Sequence, residues 1–146
     1  MPEVGKCTLL IHYLLITLCL TSCSNKSSSE DLTKEIQNVS SWSATAHMVG
    51  DAWIHGAVPK KYAQTTLKKA QEEILKERDN IVKLQTSQQA IKQHKTVLIS
   101  EVSLLANKTE KMSIAIAQIN RAEVQKSLEE LEAESRVLNR LRKIPE

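Results

Sequence analysis

KKYAQTTLKKAQEEILKERDNIVKLQTSQQAIKQHKTVLISEVSLLANKTEKMSIAIAQINRAEVQKSLEELEAESRVLNRLRKI, residues 60–144, runs for 85 positions without a glycine or a proline. As one straight helix it would be about 128 Å long, far beyond the usual helix of a small domain, so it must be broken or paired. A heptad-like seam passes through Ala63, Leu67, Ala70, Ile74, Ile81, Leu84, Ile91, Leu98, Val102, Leu105, Met112, Ile116 and Ile119, with polar occupants at Glu77, Gln88, Lys95 and Thr109. After Ile119 the phase slips and resumes as Val124, Leu128, Leu131 and Leu138. Apolar residues sustained at this spacing predict helices packed side by side in coiled-coil fashion.

The expected break lies at Ala106–Thr109, where Asn107 and Thr109 compete with the helix backbone and Glu110 stands in capping-box spacing to Asn107. Folding there brings Glu72 and Glu73 near Arg140, Arg142 and Lys143, and Lys83 near Glu130 and Glu132, although it also sets Arg78 against Arg136. The alternative break is Thr86–Gln88, where Thr86 and Gln89 have the same spacing. Upstream, Leu32, Ile36, Val39, Trp42, Ala46, Val49 and Trp53 recur at steps of three and four. Ser29 is the expected N-cap of this helix, Gly56 its C-terminal cap, and Pro59 the opening of the next helix. The fold expected is therefore all-α: an elongated antiparallel hairpin or small three-helix bundle, with helices at about 31–55, 59–106 and 109–144 and a flexible tether at 23–30.

Composition supports this class. The chain is 41% hydrophobic but only 3% aromatic, with three Gly, three Pro and no Phe, which leaves too few turn and glycine residues for a sheet sandwich or a nucleotide-binding α/β fold. Charge is uneven: residues 24–59 carry a net −2 and residues 60–146 a net +5. Lys60, Lys61, Lys68 and Lys69 could meet the acidic first helix or anionic lipid headgroups, but a solvated face with stems lying along the helices is the preferred reading.

Thr8–Leu20 is an apolar run of thirteen residues preceded by Lys6, too short to span a bilayer, which takes about 20, but of the right length for an export signal. Leu20, Thr21, Ser22 and Cys23 follow it. Leucine at the third-last position is wrong for ordinary signal cleavage, and the four residues resemble the lipobox of bacterial lipoproteins. The resemblance implies cleavage after Ser22, a diacylglyceryl group on Cys23, often a third acyl chain on its amine, and durable membrane attachment, since two or more chains hold where one does not. Ser24 after the cysteine resembles outer-membrane sorting in enteric bacteria. Cys7 and Cys19 would leave with the signal, so no disulfide is expected within the mature monomer. The murein lipoprotein family similarly joins a lipidated Cys to a Ser-rich start and a Phe-free helix. Here the heptads are interrupted and the last residues are Pro145 and Glu146 instead of a terminal Lys, so covalent wall attachment is not implied.

Sites for chemistry are sparse. His47, Asp51 and His55 share one side of the first helix, but the two histidines stand about 12 Å apart along the axis, which suits an exposed polar face better than a metal. The mature chain offers no free Cys, no glycine elbow and no phosphate-binding loop, so neither an enzyme nor a cofactor is expected. Glu129, Glu130, Glu132 and Glu134 spread around a helix as a solvated face. Basic residues interleave with acids without aromatic partners, so no nucleic acid is expected. The functional expectation is a lipid-anchored envelope protein acting as spacer or interaction scaffold, attached to a membrane through Cys23, with an envelope protein or a second copy as partner. The alternative is a small periplasmic binding module whose aromatic corner, Trp42, Trp53 and Tyr62, takes an apolar ligand or partner helix.

Overall fold

A computed structural model describes residues 24–86 and 89–142, with side chains from Glu30 onward. The described residues form four helices: α1 (Ser24–Ile54), α2 (Lys60–Lys83), α3 (Gln89–Ala117) and α4 (Arg121–Leu141). Each helix packs on its sequence neighbours, α1 also packs on α4, and α1 barely meets α3 across the diagonal. The connections are short, so the helices alternate in direction and close into a bundle.

The seam read from sequence is the core. On α2, Ala63, Leu67, Ala70, Ile74, Glu77 and Ile81 are buried; on α3, Leu98, Val102, Leu105, Thr109, Met112 and Ile116; on α4, Val124, Leu128, Leu131 and Leu138. The α1 seam is Leu32, Ile36, Val39, Ser43, Ala46, Gly50 and Trp53, all buried, with Trp42 half-buried beside it. These steps alternate four and three, the spacing of left-handed coiled-coil packing. Small residues at two α1 seam positions let its neighbours approach: Ser43 shares a 2.7 Å hydrogen bond with Ser135 of α4. A β-carbon on Gly50 would collide with Met112 Sδ and lie 3.1 Å from Leu128 Cδ2.

Among the described residues the helix count is four, not three, and the expected boundaries shift. No break occurs at Ala106–Thr109. Thr109 Oγ1 donates to Leu105 O at 2.9 Å, so it is satisfied within the helix, and Asn107 is exposed, so neither competes with the backbone. The chain breaks instead after Lys83, close to the alternative position, where Leu84 turns extended (φ −60°, ψ 126°). It breaks again at Gln118–Asn120. There Ile119 takes φ 56°, Ile119 N bonds Ile116 O at 3.1 Å and Asn120 N bonds Ala115 O at 2.9 Å. This is a Schellman turn. Gly56 (φ 73°) makes the same turn after α1, through Gly56 N to Trp53 O and Ala57 N to Ala52 O. Asn120 then caps α4, its side chain accepting from Glu123 N at 3.1 Å. At the other end α1 begins at Ser24, so residues 24–30 are helical rather than a loose tether, and Ser29 lies within the helix instead of capping it. With no Gly or Pro between Ser24 and Leu32, nothing in the backbone stops a helix fixed by the buried Leu32 and Ile36 from extending toward the N-terminus. The expected end of the last helix at Ile144 and its stop at Pro145 lie outside the described residues.

Each helix C-terminus is closed by a side chain from another helix. Arg121 of α4 donates to Ile54 O at 3.3 Å, and Lys95 of α3 donates to Val82 O and Leu84 O, both at 2.7 Å. Lys60 of α2 donates to Ala117 O at 3.4 Å, and His94 of α3 bonds Leu141 O at 2.6 Å. These groups satisfy last-turn carbonyls, and the cations oppose the negative end of the helix dipole.

Candidate functional site

Cys23, the expected lipidation site, lies outside the described residues. The aromatic corner divides. Trp53 is a core residue, 7% exposed, with the Arg121 guanidinium 5.9 Å from its ring centroid. Trp42 is half-buried against the core, about 16 Å from Trp53 along α1. Tyr62, in the first turn of α2, is 54% exposed. The three therefore differ in role: one fills the core, one borders it and one faces outward. Arg121, which joins α4 to the end of α1, was not foreseen, because it becomes visible only once the break at Gln118–Asn120 is known.

Asp51 and His55 form an exposed i,i+4 pair, with His55 Nδ1 3.4 Å from Asp51 Oδ1 and 2.9 Å from Asp51 O. His47 instead lines a groove of about 350 Å³ between α1 and α4, with Ser40, Ser43, Ala44, Glu132, Ser135 and Asn139. Among the described residues no three His, Cys, Asp or Glu side chains converge as a metal site. Four lysines of α2 are engaged: Lys69 and Lys76 with Glu73, Lys68 with Glu72, and Lys60 with the end of α3. Lys108 pairs with Glu130 across α3 and α4. That hydrogen bond holds the Glu130 carboxyl below its ordinary range.

Two pairs of acids cross helix interfaces. Between α1 and α2, Asn80 Nδ2 donates to Glu35 Oε2 at 3.3 Å and to Glu77 Oε2 at 3.0 Å, and Asn38 Nδ2 donates to Glu77 Oε1 at 3.4 Å. Between α3 and α4, Glu101 meets Glu134. Burial, then the facing acid, raises the carboxyls of Glu35 and Glu101 above the usual glutamate range.

Outward, α3 presents a second stripe at helical spacing: Val97 (48% exposed), Leu104 (38%) and Ile114 (50%), alternating with exposed Ser100, Asn107 and Lys111. Comparison with family models, curated proteins and solved structures finds no match, so function is read from the residues themselves.

Proposed function

We propose that this chain is a lipid-anchored protein of the bacterial cell envelope, held to a membrane through Cys23 and acting as a structural spacer or interaction scaffold. The observation that carries this is Leu20–Thr21–Ser22–Cys23 at the end of a thirteen-residue apolar run and directly before α1. Two features support it. None of the described helices is long and apolar enough to cross a membrane, so attachment of this body would fall to the segment before it. The four helices also spend their seams on one another, leaving a rod whose longest helix spans about 46 Å and whose outer faces are mostly polar. Lipid chains buried at about 0.8 kcal/mol per CH₂ make such attachment durable once two are present.

The test is expression of the full chain and its Cys23→Ala variant in a bacterial host, followed by membrane fractionation and intact mass. The native chain should sediment with membranes and have lost residues 1–22 and gained a diacylglyceryl mass, and the variant should carry no lipid. A native chain that keeps its first 22 residues, or that carries no fatty acid, overturns the proposal.

A further inference from the structure

The two acid pairs have no part in the scaffold role, and one joins α1 to α2 while the other joins α3 to α4. At the α1/α2 interface a single Asn80 amide holds one oxygen of Glu35 and one of Glu77, which brings two carboxyls together at a position where Glu77 is only 6% exposed. At the α3/α4 interface Glu101 Oε2 is buried without a hydrogen-bond partner, and Glu134 of α4 is the acid set against it. A buried carboxylate oxygen without a donor is unfavourable, and two adjacent carboxylates cannot both ionise at low cost. One proton resolves both problems: the protonated acid donates to its partner and removes one of the two like charges.

We infer that Glu35–Glu77 and Glu101–Glu134 are proton-binding sites built into the helix interfaces, each sharing one proton in mild acid, so that the bundle is tighter there than at neutral pH. The charged groups set against Glu35 are Glu77 on α2 and Lys34 on its own helix. Glu101 is set against Glu134 on α4. Because the fold favours the neutral form of Glu35 and Glu101, their stabilisation is full below the unfolded glutamate value of about 4.3 and is lost as pH rises through their raised values. Glu73 and Glu130 run the other way. Lysine hydrogen bonds hold both below the usual range, so their contribution is present above that unfolded value and disappears in stronger acid.

The experiment is thermal unfolding of the full chain, followed by far-UV circular dichroism, at pH 5.0 and 7.5, for the native protein, Glu35→Gln, Glu101→Gln and the double variant. The native Tm should be higher at pH 5.0 than at pH 7.5. Each glutamine, which cannot ionise and can donate to the facing acid, should raise the Tm at pH 7.5 and remove part of the difference, and the double variant should remove most of it. A native protein no more stable at pH 5.0, or variants that keep the whole difference, overturns the inference. Carboxyl-carbon NMR titration of the native chain provides a check that needs no variant to fold. Two glutamates titrating above the ordinary range are expected, and a full set of ordinary values sinks the idea.

Discussion

Gly50 sits inside α1, where alanine would normally be the better residue by about 1 kcal/mol. Its place in the bundle reverses that preference. An added methyl would overlap Met112 Sδ and press on Leu128 Cδ2 at 3.1 Å, and these side chains are 0% and 4% exposed, so neither has open space to move into. Overpacking a filled core typically costs about 1–3 kcal/mol. Set against the propensity gain, Gly50→Ala should lose roughly 1 kcal/mol, a fall in Tm of about 2–4 °C, measured by urea and thermal unfolding with circular dichroism. The mechanism has a second signature. Met112→Ala alone removes buried atoms and should cost about 2–5 kcal/mol, but in the double variant the new methyl occupies part of the space vacated. The two changes should therefore couple by about 1 kcal/mol or more, the double variant being more stable than the sum of the singles. If Gly50→Ala stabilises the bundle and the two substitutions add independently, helix propensity alone governs that site and the close packing of α1 against α3 and α4 is refuted.

Other substitutions test the turns and caps. Ile119 holds a left-handed conformation, unfavourable for a branched side chain by about 1–2 kcal/mol, while leaving 64% of its surface exposed. Ile119→Gly should thus raise stability by up to about 1 kcal/mol, seen as a higher urea midpoint, and a lower midpoint contradicts the Schellman assignment. Asn120→Ala removes the side chain that accepts from Glu123 N and should lose about 1 kcal/mol, whereas Asn107→Ala, exposed within α3, should change stability by less than about 0.5 kcal/mol. Arg121→Ala removes a carbonyl cap and the contact over Trp53. It should cost about 1 kcal/mol and shift tryptophan emission, and an unchanged spectrum would disprove that contact.

Periodicity made the interior legible. The sixteen consecutive seam positions from Ala63 to Ile116 include Glu77 and Thr109, polar residues that the 3.5-residue spacing placed inside despite their chemistry, and both are buried. Gly56 was legible as a turn because glycine is the residue that takes positive φ without penalty. The turn at Ile119 was not, since isoleucine in that conformation is a choice that no local preference announces. Asn107–Glu110 and Asn120–Glu123 have the same capping-box spacing. What separates them is the phase of the seam, unbroken through Thr109 and slipped after Ile119. The acid pairs were beyond reach for a different reason: Glu35 and Glu77, or Glu101 and Glu134, meet only once the register between helices is known. Assigning the break to Ala106–Thr109 put the wrong residues opposite one another.

The exchange of end-caps bears on how the molecule comes apart. Arg121 reaches the end of α1, Lys95 that of α2, Lys60 that of α3 and His94 that of α4, so each of these termini is held in part by a neighbour. Peeling α4 away strips the end of α1 as well as exposing its own seam, and detaching α3 uncovers the ends of both α2 and α4. Partial opening is penalised twice, and a single sharp melting transition, without a stable three-helix remnant, is the behaviour this reciprocity imposes.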